Sequence, residues 1–178
     1  MKLIQIHDKN FEVYIDRDKI QQAVSSLAQQ LKKDLKGERP LFVSILNGAF
    51  IFAADFIRSF EDECEITFIK LASYEKTKSS GKVKQLLGIN EDLTDRTIVV
   101  LEDIIDTGTT LQEIYKILGE EKIKDLKIVS LFFKPEVFKK ELHIDYVAFE
   151  IPDNFIVGYG LDYDGLGRNL QDIYKLSK

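Results

Sequence analysis

Three acids and four hydroxyl or glycine residues stand together where an apolar run gives way to a polar turn, in Ile98-Val-Val-Leu-Glu-Asp-Ile-Ile-Asp-Thr-Gly-Thr-Thr110. A turn that contains Gly108 can point several backbone N–H groups inward, and a helix that begins just after it adds the positive end of its dipole. Thr107, Thr109 and Thr110 supply hydroxyl donors. The segment therefore predicts a phosphate-binding site.

The adjacent acids Glu102 and Asp103 suit ribose hydroxyls or a hydrated magnesium ion, because Mg²⁺ prefers oxygen ligands. In open α/β sheets such ligands bind where strands end and helices begin. A purely structural alternative is that Thr109 or Thr110 caps the following helix. Two adjacent acids, with Asp106 as a third in a tight glycine turn, are more than a cap requires. A P-loop nucleotide hydrolase is excluded because the sequence contains no G-x-x-x-x-G-K-[ST] motif.

The elements that must position these residues alternate between strands and helices. Apolar residues recur at three- and four-residue spacing from Lys19 to Leu35, which indicates an amphipathic helix that Asp16 is placed to cap. The apolar runs typical of buried strands are Leu41–Leu46, Glu65–Leu71, Thr97–Leu101 and Leu126–Phe133, and two more helices are predicted over Ala49–Ser59 and Leu111–Leu118. This alternation predicts an α/β fold with a largely parallel sheet.

Two further strands, Tyr146–Ile151 and Phe155–Tyr159, are predicted near the end of the chain, and we expect them to pair or to flank a site. Between the second and third buried strands, the polar, lysine-rich stretch Ser73–Lys84 is typical of a mobile loop. The sequence contains no repeat or linker that would divide it, so we expect one domain over residues 1–178.

Composition narrows the class of protein. Apolar residues make up 44% and charged residues 31% of 178 residues, which is typical of a globular domain. The net charge of −5 disfavours a general nucleic-acid binder, because that class concentrates Lys and Arg. The single cysteine, Cys64, indicates a reducing compartment, and the sequence shows neither a signal-peptide pattern nor an apolar run of membrane-spanning length. We therefore expect a cytoplasmic protein without a membrane partner.

The stretch from Val100 to Thr110 resembles the signature by which type I phosphoribosyltransferases bind 5-phosphoribosyl-1-pyrophosphate (PRPP). The resemblance implies that the turn from Asp106 to Thr110 binds the 5-phosphate and that Glu102 and Asp103 lie near the ribose hydroxyls. It also implies that Asp106 assists the base as a catalytic residue.

A second segment, Leu46-Asn47-Gly48, resembles the pyrophosphate loop of the same family. The family often carries a non-proline cis peptide there, which in this chain would be the Leu46–Asn47 bond. Many purine enzymes of the group have lysine where Asn47 stands, so the resemblance implies backbone contacts to pyrophosphate at this position. Lys70 and Arg168 match basic residues on the pyrophosphate side.

A third resemblance concerns the lid and the purine pocket. Ser73-Tyr74, followed by the lysine-rich loop, resembles the catalytic lid that closes over the site. Lys134 and the segment Glu150–Tyr163 resemble the purine pocket of the hypoxanthine/guanine enzymes. The resemblance implies that Lys134 donates to the six-position oxygen of the base and that Phe155 stacks on the base. It also implies backbone contacts from Ile156 and Asp162, and the carboxylate of Asp162 would face magnesium.

Taken together, the resemblance implies the type I phosphoribosyltransferase fold, a mainly parallel sheet flanked by helices with a small hood built from the chain ends. It implies purine salvage, in which PRPP and hypoxanthine or guanine are the substrates and Mg²⁺ is the cofactor. A homodimer or homotetramer is also implied. Two alternatives stay open: a regulator of this fold that senses PRPP or nucleotides and binds nucleic acid, and an enzyme that prefers xanthine.

Overall fold

The computed structural model describes residues 3–72 and 84–177. Within these ranges the chain forms a six-stranded main sheet with helices on both faces and a four-stranded sheet beside it. In chain order the strands and helices are β1 Leu3–Ile6, β2 Lys9–Ile15, α1 Arg17–Asp34, β3 Leu41–Leu46, α2 Phe50–Phe60, β4 Glu65–Ala72, β5 Lys84–Leu87, β6 Thr97–Ile105, α3 Thr109–Gly119, β7 Asp125–Phe133, β8 Tyr146–Glu150, β9 Ile156–Val157 and β10 Ile173–Leu176.

The main sheet has the strand order β5-β4-β3-β6-β7-β8. From β4 to β8 every neighbouring pair is parallel, and β5 is antiparallel to β4. The carboxyl ends of β3, β4, β6 and β7 therefore point to the same edge, which is where ligands bind in such sheets. The predicted α/β class and the largely parallel sheet are confirmed.

The two faces of the sheet carry different helices, because successive strand side chains point to opposite faces. Phe42 packs with α1 and α2 in one buried cluster. Leu41 and Val43, its neighbours along β3, pack with α3 in another. The main sheet is thus the central layer of a three-layer domain. None of the helices formed by the described residues is long and apolar enough to cross a bilayer.

The smaller sheet is built from both chain ends and has the order β1-β2-β10-β9. Its antiparallel strands enclose a separate apolar cluster that includes Phe11, Val157 and Tyr174. This sheet is the predicted hood, which the resemblance implied and which periodicity alone did not reveal.

Several boundaries differ from those predicted. Strand β6 continues past the apolar run to Ile105, because its ladder to β7 also pairs Glu102 with Ser130. The predicted strand Phe155–Tyr159 shortens to β9, since Gly158 and Gly160 adopt positive φ. Of the two expected arrangements, pairing with β8 does not occur, because β8 pairs with β7 and β9 pairs with β10 in the hood. The predicted Asp16 cap is confirmed by a 3.0 Å hydrogen bond from the backbone N–H of Lys19.

Candidate active site

The predicted phosphate-binding turn, Asp106 to Thr110, is called the phosphate turn below. It lies between the end of β6 and the start of α3. Gly108, with φ 81°, is the N-cap residue just before α3, and no side chain among the described residues caps that helix. The capping alternative for Thr109 or Thr110 therefore receives no support, and the Thr109 hydroxyl instead lies 3.1 Å from that of Thr107. Residues 104–111, together with Glu102, line a cavity of about 240 Å³. The predicted phosphate segment forms a concave surface next to a helix N-terminus, as an anion site requires.

Two residues that the sequence did not single out cover the outer side of this turn. A Cβ atom at Gly108 would lie 2.6 Å from Cε2 of Phe138 and 3.0 Å from Cγ of Lys140. The ammonium of Lys140 donates to the side chain of Gln112 on α3 at 2.9 Å. Both residues are far from the turn in sequence, and no local pattern indicates the contact. The absence of a side chain at Gly108 thus allows the segment after β7 to pack against the turn.

The acid pair lies on the last part of β6 and is buried. Glu102 is 7% exposed and Asp103 is 9% exposed. Burial raises the pKa of Asp103 to about 6, and the charge of Arg168 opposes this rise while that of Asp162 adds to it. Burial, and then the neighbouring Asp103, hold the pKa of Glu102 well above its usual range. A cation bound beside these two carboxyls would therefore lower both pKa values and favour the charged forms.

The pair fits a magnesium ion that takes most of its ligands from substrate and water. Oε2 of Glu102 is buried and has no hydrogen-bond partner within the part of the chain that the structure describes. No three acidic, histidine or cysteine side chains converge there into a protein-only metal cage, again among the described residues. A buried acceptor without a partner is the expected state of a carboxylate whose partner is a ligand.

We expect replacement of Asp103 by Asn to stabilise the metal-free protein at neutral pH. The folded-state pKa of about 6 exceeds the ordinary value of 3.8, so the folded state holds the proton more tightly and loses stability as pH rises from about 4 to 6. The loss reaches about 3 kcal/mol above pH 6, since one pKa unit corresponds to about 1.4 kcal/mol. Chemical unfolding with EDTA at pH 4.5 and 7.5 should show a gain for Asp103→Asn that is larger at pH 7.5.

The exposed carboxylate of Glu141 provides the control, because Glu141→Gln removes a solvated charge and should leave the free energy of unfolding nearly unchanged at both pH values. An Asp103→Asn variant less stable than wild type at pH 7.5 would show that the buried carboxylate is stabilised in its charged form.

A second cavity, of about 220 Å³, joins the acid pair to the predicted pyrophosphate loop, since Leu46, Gly48, Asp103 and Thr109 all line it. The Leu46–Asn47 peptide is cis, as predicted. A Cβ atom at Gly48 would lie 1.6 Å from Oδ2 of Asp103, so any side chain there would displace the acid. The loop and the acid pair thus form one continuous surface beside the phosphate turn.

The hood reaches the same surface through Gly160. A Cβ atom at Gly160 would lie 2.1 Å from the carbonyl oxygen of Gly48. Arg168 donates to the carbonyl oxygen of Gly160 at 2.7 Å and forms an ion pair with Asp162, also at 2.7 Å. Gly48 packs against Asp103 and Gly160 packs against Gly48, so Arg168 and its partner Asp162 are held close to the acids of β6. The Gly-Tyr-Gly pattern at 158–160 was the available signal for this close approach.

The remaining pyrophosphate and lid residues are less fully defined. Lys70 is the ladder partner of Leu46 on the neighbouring strand, which places its backbone beside the pyrophosphate loop. Ser73 and Tyr74 lie outside the described residues, and so does the predicted mobile loop except for Lys84, which begins β5. The lid stays a prediction.

The predicted base-binding residues lie in the hood and directly after β7. Phe155 is 44% exposed and packs on the hood, with Tyr163 at 5.5 Å between ring centroids and the ammonium of Lys9 at 5.3 Å. Ile156 is buried in β9, where it pairs with β10. Lys134 is buried at the end of β7, and its Nζ lies 3.4 Å from Oδ2 of Asp106. The exposed ring of Phe155 is thus suited to stack on a base, and the buried ammonium of Lys134 is suited to donate a hydrogen bond to it.

One charged residue that sequence reasoning did not select takes part in this arrangement. Oδ1 of Asp153 lies 2.8 Å from Nζ of Lys134, which is closer than Asp106. Its position two residues before Phe155 was a signal, but Pro152-Asp153-Asn154 also has the composition of an ordinary turn. Lys134 therefore bridges the phosphate turn and the loop that carries the exposed ring.

Comparison with known proteins agrees with this geometry. Residues 14–164 match the phosphoribosyl transferase domain family. The hypoxanthine-guanine phosphoribosyltransferase of Aquifex aeolicus is 37% identical over 172 residues, which cover 96% of this chain and 97% of that protein. The protein of the same name from Bacillus subtilis is 39% identical over 160 residues, or 89% of each chain.

Solved structures show the same similarity. A hypoxanthine-guanine phosphoribosyltransferase from Bacillus anthracis superposes with a TM-score of 0.88 at 40% identity, covering 93% of this chain and 98% of that one. A hypoxanthine phosphoribosyltransferase from Staphylococcus aureus superposes with a TM-score of 0.87 at 37% identity, covering 93% and 91% of the two chains. Similarity of sequence and fold over nearly the whole length accompanies the phosphate turn, the buried acid pair and the cis peptide, and the chain therefore belongs to the phosphoribosyltransferase family.

Proposed function

We propose that this chain transfers the 5-phosphoribosyl group of PRPP to hypoxanthine or guanine and releases pyrophosphate, giving IMP or GMP. The observation that carries the proposal is the buried ammonium of Lys134, 3.4 Å from Asp106 of the phosphate turn. A cation with donors only, next to a carboxylate that can accept a proton, suits a base with a carbonyl oxygen and an acidic ring N–H. The names of the similar enzymes from Aquifex aeolicus and Bacillus subtilis support the same substrates.

In the proposed reaction a ring nitrogen of the purine attacks C1 of the ribose as the bond to pyrophosphate breaks. The turn from Asp106 to Thr110 would hold the 5-phosphate, so that the sugar is oriented before the base arrives. Asp106 would accept the proton that the five-membered ring of the purine loses. Phe155 would stack on the base, and Ile156 with Asp162 would contribute backbone contacts. Most of the rate enhancement is then positional and electrostatic.

Charge on the departing pyrophosphate would be offset from two directions. Arg168 and Lys70 would lie on the pyrophosphate side, and the backbone of Leu46, Asn47 and Gly48 would contact its oxygens. Magnesium, bound through PRPP, would supply Lewis-acid stabilisation of the leaving group. Its protein ligands would be the buried pair Glu102 and Asp103, and the carboxylate of Asp162, which pairs with Arg168, would face the magnesium from the hood side.

The predicted lid would exclude water while C1 carries positive charge, because an oxocarbenium-like centre is open to hydrolysis. Ser73 and Tyr74 would belong to it. A cytoplasmic location accords with the single half-buried thiol of Cys64.

We further infer that the active form is a homodimer or homotetramer. Ile66 and Phe68 project from the same face of β4 and are 38% and 36% exposed, and Phe50 at the start of α2 is 42% exposed. Partly exposed large apolar side chains of this kind suit an interface with a second copy. Light scattering should give at least twice the 20.5 kDa mass of the chain, and a monomer would contradict the inference.

The test of the function is product formation from hypoxanthine, PRPP and MgCl₂, followed by chromatography of the nucleotide and by release of pyrophosphate. The nucleotide and pyrophosphate should form in equal amounts, and their formation should stop when EDTA is added. Tight, salt-dependent binding of nucleic acid without any turnover would favour the regulator instead, although the net charge of −5 argues against it.

A further inference from the structure

Lys134 is a buried cation with two carboxylate neighbours. Its side chain is 8% exposed, whereas those of Asp153 and Asp106 are 57% and 47% exposed. A charge that leaves water needs paired and hydrogen-bonded neighbours, and a half-exposed carboxylate can supply them at little cost to itself. The contact to Asp153, at 2.8 Å, is shorter than the contact to Asp106, at 3.4 Å. Asp153 is therefore the closer counter-ion of this lysine.

The backbone of Lys134 fixes the origin of the side chain. Its N–H donates to the carbonyl oxygen of Ile105 at 3.0 Å, and its carbonyl oxygen accepts from the N–H of Phe138 at 3.2 Å. The first bond ties the end of β7 to the end of β6, directly before Asp106. Because both backbone groups are held, the direction of the ammonium depends on its side-chain partners.

The loop that carries Asp153 is anchored as well. Ile151 is buried, and its N–H donates to the carbonyl oxygen of Phe133 at 2.9 Å. The N–H of Asn154 donates to the carbonyl oxygen of Pro152 at 2.6 Å, which closes a tight turn around Asp153. Phe155 follows immediately with its ring exposed. The ion pair thus fixes the ammonium relative to the ring that would stack on the base.

A lysine ammonium has three N–H donors. Within residues 3–72 and 84–177 its side-chain acceptors are the two carboxylates, which occupy two of these donors and leave one for an acceptor on a ligand. We propose that Asp153 is a positioning residue for the purine: its carboxylate orients the ammonium of Lys134 so that the remaining N–H meets the six-position oxygen of a base stacked on Phe155. This inference rests on the proposed function, because it assigns Asp153 to the recognition of the base.

The test compares Asp153→Asn and Asp153→Glu in the full chain, with magnesium and both substrates varied. The Asn variant keeps an acceptor oxygen but loses the charge that orients the ammonium, so KM for hypoxanthine should rise by about tenfold, the range of one charged hydrogen bond. KM for PRPP should stay the same, since Asp153 lies on the loop beside the ring and does not line the phosphate cavity. The Glu variant, whose charge can still reach Lys134 from an exposed loop, should recover most of the lost affinity for hypoxanthine.

Glu136→Gln is the matched control. It removes a negative charge, as Asp153→Asn does, but from an exposed position two residues after Lys134, and it should leave both KM values unchanged. An unchanged KM for hypoxanthine in Asp153→Asn would overturn the role of Asp153 alone. An equal rise in both KM values without rescue by Glu would also overturn it, since a general structural role predicts that pattern. Asp153→Ser repeats the test if the Asn variant does not fold. A wild-type protein without turnover would overturn the proposed function, and this inference with it.

Discussion

Asp106→Asn is expected to lower kcat by about 10² to 10⁴-fold, the usual contribution of a general base, while KM for PRPP changes little. Asp106 follows β6 directly and opens the turn that would bind the 5-phosphate. An amide has nearly the same shape as the carboxylate, so the turn should keep its conformation. The amide cannot accept the proton that the purine loses, and the chemical step should be slowed. Steady-state kinetics with both substrates varied checks this result.

The substitution also removes one of the two counter-ions of Lys134. Its effect can be separated from that change by comparison with Asp153→Asn, which removes the other counter-ion. Loss of the proton acceptor should appear in kcat, and loss of positioning should appear in KM for the base. If kcat of Asp106→Asn equals that of the wild type, Asp106 is not the proton acceptor.

Lys134→Ala is expected to lower kcat/KM for hypoxanthine and guanine strongly and to narrow their advantage over adenine. A charged lysine can donate to a carbonyl oxygen but cannot accept from the amino group of adenine. Facing adenine, the buried ammonium would leave its remaining donor without a partner, which costs about 1–3 kcal/mol or more. Wild type should therefore discriminate at least about tenfold, because 1.4 kcal/mol corresponds to a factor of ten. The Ala variant should lose most of this discrimination.

Two further variants separate recognition from general loss of affinity. Phe155→Ala should weaken all purines together, because a stacking ring accepts the face of any base. Lys139→Ala removes an exposed lysine from the same segment and should leave selectivity unchanged. A Lys134→Ala variant that keeps its full preference for oxopurines would show that another group reads the base.

The main sheet could be predicted because its signal is local. Leu41–Leu46 is a run of apolar and small residues, and β3 has those same bounds since it is buried between two neighbouring strands and two helical layers. The Asp16 cap was predictable for the same reason, as a cap joins residues three positions apart. The acid pair was recognised by type and by its place at the end of a buried strand, but the extension of β6 beyond it was not. The two acids interrupt the apolar run after Leu101, whereas the backbone ladder to β7 continues to Ile105.

What could not be predicted depends on contacts between distant segments. Asp153 and Lys134 are 19 residues apart, and neither helical nor strand periodicity relates them. The approach of Gly160 to Gly48 joins the hood to the predicted pyrophosphate loop across more than half of the chain. The choice between pairing and flanking a site for β8 and β9 was open for the same reason, since the strand that β9 pairs with, β10, lies further along the chain in the hood.

The central claim is that this member of the phosphoribosyltransferase family uses 6-oxopurines, and a competition among bases tests it most directly. One reaction would contain equal concentrations of hypoxanthine, guanine, xanthine and adenine with PRPP and MgCl₂, and the nucleotides formed at early times would be separated and quantified. We predict that IMP and GMP form first, with adenine used at least about tenfold more slowly, in keeping with one unpaired buried donor. Preferential formation of the adenine nucleotide, or no nucleotide from any base, would contradict the account.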